Sequence, residues 1–297
     1  MTLLQKLKEQ FPGIRTQEPL NNHSTFRVGG SADFFYDLTN IEELPPLATF
    51  AEENGIPYKL IGRGTNILFT DKGFRGLIIK NLTKEYRIEG NRIISDSGVL
   101  LGQIIRASVE NNLTGLEPLY GLPGSVGAAI WGNAGIPGTE VSHFLISATI
   151  FNVSDGIREV SKEELTFKYR SSSLQKSKEL VMRVILELPK GESAQSKEKM
   201  KKIDEIRRGK QPIGYSAGSF FKNPSAEKPA GYLIDQAGLK GMKVGDAEIS
   251  PKHANFFMNR GQATAAEIFE LGKMAQEKVL EKFGIRLEME VKIIGDL

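Results

Sequence analysis

Residues 121–138, GLPGSVGAAIWGNAGIPG, contain six glycines. Glycine inside regular structure costs roughly 0.5–1 kcal/mol relative to alanine, so this density indicates backbone in unusual conformations or backbone that a ligand approaches closely. The stretch lacks the Gly-Lys-Ser/Thr ending of a P-loop, which argues against a nucleotide triphosphatase. It therefore predicts a loop that holds some other ligand.

Residues 62–66, GRGTN, form a second glycine-rich loop after an apolar run. Ile67 stands where the motif G-x-G-x-x-G has its third glycine, and a β-branched run follows instead of a helix, so the Rossmann fingerprint is not met. Consecutive N–H groups in such a loop can still converge on an anion, although the loop by itself is more typical of a plain hairpin turn. Two such loops suit a dinucleotide with a flat ring, and a flavin is the natural candidate.

The composition indicates an ordinary folded protein. The chain has 297 residues, of which 40% are hydrophobic and 25% charged, and its net charge is +3. This near-balance disfavours nucleic-acid binding, and the lack of cysteine excludes disulfides, thiolate zinc sites and cysteine nucleophiles. No apolar run approaches the ~20 residues that span a bilayer, and the start of the chain has no signal-peptide core. We expect a cytoplasmic protein without a membrane partner.

Short apolar runs alternate with helical patterns, which predicts an α/β or α+β chain. A prior of ~150 residues per domain suggests about two domains and permits three. We predict a helical appendage at 1–11 and a polar hinge at 191–196. Further helices are expected at 41–54, 100–112 and 196–209, and strands at 32–38, 58–61, 67–69, 77–79, 88–95, 146–153 and 180–188.

The end of the chain carries the clearest helix signal. Thr264 and Glu267 form a capping box, apolar residues follow at helical spacing, and Gly284 stands where the helix should end. Apolar and charged residues then alternate over 285–293, which predicts a strand with one buried face. This alternation places on a solvated face the charged residues Arg286, Glu288, Glu290 and Lys292.

Candidate chemistry lies in the second half. Arg170 precedes a strand-like run and by itself is more typical of an exposed loop arginine. Ser219 does not fit G-x-S-x-G, so a hydrolase nucleophile is unsupported, but its hydroxyl can donate a proton while Lys222 or Asn223 holds a substrate phosphate or amide. The histidines are too far apart for a metal motif and are expected to be structural, namely His23, His143 and His253.

Together these features resemble the UDP-N-acetylenolpyruvoylglucosamine reductase family, in its shorter second type. The similarity covers nearly the whole chain in colinear order. It rests on HSTFRVGG (23–30), GRGTN (62–66) with DxGFxG (71–76), GLEP (115–118), GxPGSVG (121–127) with NAG (133–135), YRS (169–171), GSFFKNP (218–224), AGxLI (230–234) with GLKG (238–241), HANF (253–256) and EVxxIG (290–295).

The resemblance implies an α+β fold with an FAD-binding unit of the PCMH or vanillyl-alcohol-oxidase type. That unit would comprise two subdomains, 1–85 and 86–192, and a third α+β domain, 193–297, would bind the UDP-sugar. Ile136 and Pro137 depart from the alanine and tyrosine that the family more often has there, which puts a side-chain contact from that turn in doubt.

The resemblance also implies roles for individual residues. Arg170 would engage the enolpyruvyl carboxylate, Ser219 would donate the proton, and Glu290 would be the catalytic carboxylate, against the expectation from alternation alone. The implied cofactor-binding residues are Gly62, Arg63, Gly64, Thr65, Asn66, Gly121, Pro123, Gly124, Ser125, Val126, Gly127 and Asn133. Those near the UDP-sugar are Lys210, Lys222 and Asn223.

The implied activity is reduction of UDP-N-acetylglucosamine enolpyruvate to UDP-N-acetylmuramate for peptidoglycan, by a monomer with NADPH as reductant. The FAD would be non-covalent, because the chain has no cysteine and neither His23 nor His143 lies in a flavin-attaching loop. Two alternatives stay open. A PCMH-type oxidase or dehydrogenase of another substrate would keep the glycine loops without needing the three catalytic residues together. A UDP-sugar or flavin binding protein would need no turnover.

Overall fold

The computed structural model describes residues 2–296 and has the α+β architecture that the sequence predicts. Within these residues the helices are α1 (Leu3–Gln10), α2 (Leu44–Glu53), α3 (Leu101–Glu110), α4 (Val126–Gly132), α5 (Ser193–Lys210), α6 (Ala230–Gln236) and α7 (Ala265–Phe283). None of them combines the length and the apolar character needed to cross a membrane.

Most of the predicted runs contain strands. The strands are β1 (Arg15–Pro19), β2 (Ser31–Leu38), β3 (Tyr58–Ile61), β4 (Ile67–Phe69), β5 (Phe74–Asn81), β6 (Tyr86–Glu89), β7 (Arg92–Asp96), β8 (Gly135–Ile136), β9 (Thr139–Glu140), β10 (Leu145–Asn152), β11 (Gly156–Ser161), β12 (Phe167–Lys168), β13 (Ser171–Ser172), β14 (Leu180–Glu187), β15 (Lys243–Val244), β16 (Ala247–Ile249), β17 (Phe257–Asn259) and β18 (Lys292–Ile294). Of these, β1, β11 and several shorter strands were not predicted.

The chain forms two compact units, each assembled from separate segments. The first contains the chain up to Arg15, Phe35–Arg63 and Leu77–Arg207. The second contains Thr16–Phe34, Gly64–Gly76 and the chain from Arg208 onward. The glycine loop at 62–66 is therefore shared, because its first two residues belong to one unit and its last three to the other.

A five-stranded antiparallel sheet forms the centre of the first unit, in the order β11-β10-β14-β7-β6. Ile104 of α3 and Ile130 of α4 share one buried cluster with Val184 of β14. Complete burial of side chains of this size stabilises the fold by ~1.5–3 kcal/mol each. This core fixes α4, and with it the glycine-rich stretch from which α4 is built.

Helix α7 organises the second unit, beside a sheet in the order β15-β16-β17. The predicted capping box is present, and the helix ends at Gly284 with φ +67. Asp71 adds a second cap, because its carboxylate accepts the N–H groups of Ala265 and Ala266 at 2.8 and 3.0 Å. A carboxylate at a helix N-terminus satisfies otherwise unpaired donors, so the acidic residue of the DxGFxG motif has a structural task.

The last strand is shorter than predicted. Only β18 forms, parallel to β4, and the residues before it run beside 220–222 instead. Leu287 and Val291 are buried as the alternation predicts. The prediction of a solvated charged face is wrong at Glu290 and Lys292, which are half-buried.

The single strand predicted at 88–95 is a hairpin of β6 and β7, with Glu89 opposite Arg92. The two-residue turn between them contains Gly90 at φ +63. Turns of this length require left-handed backbone, which glycine adopts without a steric penalty. Gly90-Asn91, between Glu89 and Arg92, is a turn signal, and the prediction of a single strand overlooked it.

Helix α1 confirms the predicted N-terminal helix but is not an appendage. Leu7 is fully buried and Phe11 is 5% exposed. The Phe11 ring meets the rings of Tyr36 and Phe50 edge-on, with centroids 6.1 and 6.0 Å apart. Such pairs contribute about 0.5–1.5 kcal/mol beyond their buried area, so this helix is part of the first unit.

The polar hinge predicted at 191–196 is largely the first turn of α5, which begins at Ser193. Ser196 is 2% exposed, and its hydroxyl donates to Glu117. Glu117 also accepts the Thr114 hydroxyl and the Gly115 N–H, both at 2.5 Å. Burial opposes ionisation of Glu117, but these hydrogen bonds outweigh it and hold the pKa of Glu117 below its ordinary value. The polar residues thus anchor a helix instead of forming a hinge.

We expect Glu117→Gln to lower the thermal midpoint of the first unit. Hydrogen bonds to a charged group contribute about 1.5–3 kcal/mol each, and ~1 kcal/mol corresponds to roughly 2–4 °C in a domain of 150–250 residues. Calorimetry on the variant should show a loss of several degrees. Replacing the exposed Glu110 of α3 by glutamine is the matched control and should change little.

The effect should also depend on pH. Because the pKa of Glu117 is lowered by folding, the ionised group stabilises the protein at neutral pH, and this contribution is lost as the pH falls through the folded-state pKa. The difference in midpoint between wild type and Glu117→Gln should therefore shrink in acid. A difference that stays constant from neutral to acid pH would contradict this account.

Candidate functional site

The loop at 62–66 joins two strands that do not pair with each other. β3 ends at Ile61 and is parallel to β5, whereas β4 begins at Ile67 and is parallel to β18. The interpretation of this loop as a plain hairpin turn is therefore wrong. It carries the chain from the first unit into the second.

Close contacts surround two of the loop glycines. Gly64 has φ +67, and a Cβ there would overlap the carbonyl oxygen of His23. A Cβ on Gly62 would lie 2.7 Å from Ser125 Oγ, so the two predicted cofactor loops are in contact at this point. The protein's own backbone thus needs glycine at position 64 before any ligand is considered, whereas Gly62 is in contact with a side chain.

Two N–H groups of the loop at 121–127 bind protein carbonyls. Val126 N–H donates to Val99 O and Gly127 N–H to Ser97 O, both at 2.8 Å. They are therefore not the anion ligands that the glycine density suggests, and a cofactor would have to contact other atoms of this loop. Gly124 has φ +131, which accounts for glycine at that position.

Three buried side-chain atoms within residues 2–296 lack a hydrogen-bond partner, and they are Ser24 Oγ, Arg63 Nε and Asn133 Oδ1. Arg63 and Asn133 are predicted cofactor-binding residues. An unsatisfied buried group costs ~1–3 kcal/mol, so such atoms in a folded protein call for a missing partner. A guanidinium donor and an amide acceptor match the mixed polarity of a dinucleotide, and FAD therefore fits Arg63 and Asn133 of the first unit. Ser24, in the second unit, lies in the HSTFRVGG motif and was not predicted as a site residue.

Arg170 occupies the second position of a two-residue hairpin turn. Lys168 of β12 pairs with Ser171 of β13, which leaves Tyr169 and Arg170 as the turn. Arg170 has φ +53, a left-handed conformation that costs residues with a Cβ roughly 1–2 kcal/mol. Its guanidinium carbon lies 5.0 Å from the centre of the Tyr169 ring. Such a conformation persists only where the surrounding structure holds it.

Ser219 lies on a segment whose backbone is hydrogen-bonded to the side chain of Asn255. The buried Asn255 amide accepts the Phe221 N–H at 2.9 Å and donates to the Phe221 carbonyl at 2.8 Å. Gly218, just before Ser219, has φ +77 and open space where its Cβ would be, so glycine is needed there for conformation. The serine hydroxyl thus stands on a fixed turn, and the asparagine of the HANF motif serves to fix it.

Glu290 lies on the segment next to Ser219. The Glu290 N–H donates to the Phe220 carbonyl at 2.8 Å. The side-chain amide of Asn66, in the glycine loop, donates to the Glu290 carbonyl at 3.1 Å, and the backbone carbonyl of Asn66 accepts the Lys292 N–H at 3.0 Å. The second unit therefore brings together two predicted catalytic residues and one predicted cofactor residue.

Charged groups surround this segment. Lys222 Nζ lies 2.6 Å from Glu288 Oε1, and the Lys222 side chain is only 16% exposed. Burial lowers the pKa of Lys292, and the charge of Lys222 lowers it further, while Glu288 and Glu290 oppose the shift. Lys292 was not predicted as a neighbour of this segment, although its position two residues after Glu290 on the alternating run was the available signal.

The other residues predicted to lie near the substrate, Lys210 and Asn223, also belong to the second unit. Lys210 is the exposed last residue of α5. Asn223 is exposed, and its side-chain oxygen accepts the Ala230 N–H at 3.0 Å, at the start of α6. Asn223 therefore has a structural contact besides any contact with a ligand.

The histidines make structural contacts, as predicted. His23 lies 2.8 Å from Glu18, and His143 accepts the Glu140 N–H at 3.4 Å. His253 accepts the Asn255 N–H at 3.3 Å. Burial lowers the pKa of His253, which keeps its ring neutral at physiological pH.

Two family models match this chain. The model described as "UDP-N-acetylenolpyruvoylglucosamine reductase, C-terminal domain" matches residues 210–294, and an FAD binding domain matches residues 32–161. The first match contains Ser219 and Glu290, and the second contains both glycine loops. The FAD-binding fold predicted from the resemblance is therefore confirmed.

Curated relatives and a solved structure agree with these matches. The UDP-N-acetylenolpyruvoylglucosamine reductase of Clostridium tetani is 41% identical over 285 residues, which cover 95% of this chain and 92% of the relative. That of Geobacillus kaustophilus is 41% identical over 286 residues, covering 95% and 93%.

The crystal structure of the reductase from Thermus caldophilus superposes with a TM-score of 0.81 at 33% identity, over 95% of this chain and 98% of that one. Similarity at this level extends through both glycine loops and the segments that carry Arg170, Ser219 and Glu290. The chain therefore belongs to the UDP-N-acetylenolpyruvoylglucosamine reductase family of FAD-dependent oxidoreductases.

Proposed function

We propose that this enzyme reduces the enolpyruvyl group of UDP-N-acetylglucosamine enolpyruvate with NADPH and forms UDP-N-acetylmuramate for peptidoglycan synthesis. The observation that supports this most directly is the backbone network that binds Glu290 to Phe220 and Asn66. It holds the segments of Ser219 and Glu290 and the cofactor-loop residue Asn66 in one part of the second unit.

The reaction converts an enol ether to a lactyl ether, so one vinyl carbon must receive a hydride and the other a proton. Hydride addition develops negative charge toward the substrate carboxylate. We assign Arg170 to bind this carboxylate, and a protonated Glu290 to stabilise the enediolate-like charge with it. Ser219 then delivers the proton from its fixed turn.

Bound FAD, once reduced by NADPH, supplies the hydride. We assign its binding to the loops at 62–66 and 121–127 and to Asn133, because Arg63 and Asn133 each present a buried polar atom without a partner. The FAD binding domain match spans all of these residues. We propose a non-covalent FAD, two FAD subdomains at 1–85 and 86–192, and a UDP-sugar domain at 193–297.

Lys210, Lys222 and Asn223 are proposed to contact the sugar nucleotide. Lys222 is the best supported, because its side chain is mostly buried and its Nζ lies 2.6 Å from the exposed carboxylate of Glu288. A cation held in this way can exchange its carboxylate partner for a phosphate. We further propose a cytoplasmic monomer that binds neither nucleic acid nor membrane, in keeping with its near-balanced charge.

The whole proposal can be tested by following the flavin absorbance of the purified protein. The protein should be yellow, bleach with NADPH and regain its absorbance when the enolpyruvyl sugar nucleotide is added without oxygen. Recovery only with oxygen would indicate an oxidase of another substrate. Failure to bleach would indicate a binding protein without turnover.

We expect Ser219→Ala to separate the two half-reactions. Loss of a positioned proton donor typically costs ~10²–10⁴-fold in rate, so reoxidation by the enolpyruvyl substrate should slow by at least the lower figure. Flavin reduction by NADPH needs no proton from Ser219 and should stay near the wild-type rate in stopped-flow measurements. Ser225→Ala, at an exposed serine on the same segment, is the control. If both half-reactions slow together, Ser219 positions the cofactor instead of donating the proton.

We expect Arg63→Met to weaken FAD binding. The variant removes a buried guanidinium nitrogen that lacks a protein partner, and a hydrogen bond from a charged group contributes about 1.5–3 kcal/mol, which is roughly a factor of ten to a hundred in affinity. Titration of the apoprotein with FAD, followed by fluorescence, measures the change. Arg87→Met, at an exposed arginine paired with Glu89, should leave the affinity unchanged. Equal affinities in the two variants would remove Arg63 from the cofactor site.

A further inference from the structure

Side-chain hydrogen bonds join helix α4 to the hairpin that carries Arg170. The Trp131 carbonyl, near the C-terminal end of α4, accepts the Ser172 hydroxyl at 2.6 Å and the Gln175 amide at 3.1 Å. Carbonyls in the last turn of a helix have no partner within the helix, so these bonds satisfy one of them. The Trp131 indole N–H returns a bond to Leu174 O at 3.1 Å.

The Gln175 amide also binds the backbone of the catalytic candidate itself. The same nitrogen donates to the Arg170 carbonyl at 3.2 Å. An amide nitrogen carries two N–H groups, so one side chain can hold a carbonyl of α4 and a carbonyl of the turn together. Gln175 is half-buried and ends the 3-10 turn Ser173–Gln175, which follows β13 directly.

This anchor acts where the backbone is strained. The left-handed φ of Arg170 persists only if its surroundings enforce it, and relaxation of that peptide would turn the arginine side chain in another direction. Asn133 fixes the other strand of the same hairpin, because its amide donates to Lys168 O at 3.1 Å. Hydrogen bonds therefore join both strands of the hairpin to the α4 segment, and Gln175 contributes the bond to the Arg170 carbonyl.

We propose that Gln175 is a positioning residue: it holds the strained Arg170 turn against the end of α4 and so sets the direction of the guanidinium toward the substrate carboxylate. This inference rests on the role proposed for Arg170 above. It concerns only the half-reaction with the enolpyruvyl substrate, because Arg170 has no part in the reduction of flavin by NADPH.

The test compares Gln175→Met with Ser172→Ala. Methionine keeps the length of the side chain but has no N–H donor, whereas Ser172→Ala removes a bond to the same Trp131 carbonyl and leaves Arg170 untouched. A misplacement of about 1 Å can cost ~10²-fold in rate, so reoxidation of Gln175→Met should slow between about tenfold and a hundredfold. Its flavin content and its reduction by NADPH should match the wild type. Ser172→Ala should keep both half-reactions near wild type.

A double-variant cycle with Arg170→Ala separates positioning from a general structural effect. If Gln175 acts through Arg170, Gln175→Met adds no further loss once Arg170 is alanine. The same fold-loss in both backgrounds would overturn the inference. Gln175→Lys, which keeps N–H donors at similar reach, should recover most of the rate, and failure to do so would also count against it.

The outcomes distinguish this inference from the proposed function. Unchanged reoxidation in Arg170→Ala would refute the role of Arg170, and the inference would fall with it. Slow reoxidation in Arg170→Ala with a normal rate in Gln175→Met would refute the inference alone. Should Gln175→Met lose its fold, Gln175→Asn carries the same test, because its shorter amide cannot reach both carbonyls.

Discussion

The hydrogen bond from the Glu290 N–H to the Phe220 carbonyl sets the register on which the chemistry of the second unit depends. It places the segment with Ser219 beside the segment with Glu290. The neighbouring bond from the Lys222 N–H to the Glu288 carbonyl continues the same register. A slip of one residue in such a pairing would turn the side chains of one segment to the opposite face. A single backbone contact thus determines which side chains can act together.

Two structural devices keep this register in place. The rings of Phe220, Phe221 and Phe257 form a buried cluster, with Phe220 stacked on Phe257 at a centroid distance of 4.3 Å. The Asn255 amide is bonded in both directions to the backbone of Phe221. The aromatic cluster stabilises the segment by burying apolar surface, and the Asn255 amide fixes the orientation of the Phe221 backbone. Together they convert a short irregular segment into a rigid support for Ser219.

Local sequence signals predicted most of the regular elements. Helix α7 was predictable because its capping box, apolar spacing and terminal glycine all agree. The hairpin at 86–96 was missed although Gly90-Asn91 is a turn signal, because a single strand was assigned across it. The start of α5 was missed because it depends on a buried bond between Ser196 and the distant Glu117. Glu290 and Lys292 show the same limit, since alternation reports which residues share a face but not what covers that face.

The site was predictable from the family resemblance more than from chemistry read along the chain. Within the matching motifs, several residues prove to serve the fold: Asp71 caps α7, Asn255 holds the Ser219 segment, and Glu117 anchors α5. No short-range pattern distinguishes these from Arg170 or Ser219. Their partners lie far away in sequence, and only the assembled structure separates supporting residues from candidates for catalysis.

The parallel pairing of β4 with β18 has a consequence for how this protein is made. β4 lies at Ile67–Phe69 and β18 at Lys292–Ile294, so β4 is synthesised more than two hundred residues before its partner strand. Contacts of such long sequence separation form slowly, because a long loop must close before they can stabilise anything. During translation the first unit can form its five-stranded sheet while β4 and the loop at 62–66 still lack their partner. The nascent enzyme therefore completes this part of the second unit only after the ribosome has released residues 288–294.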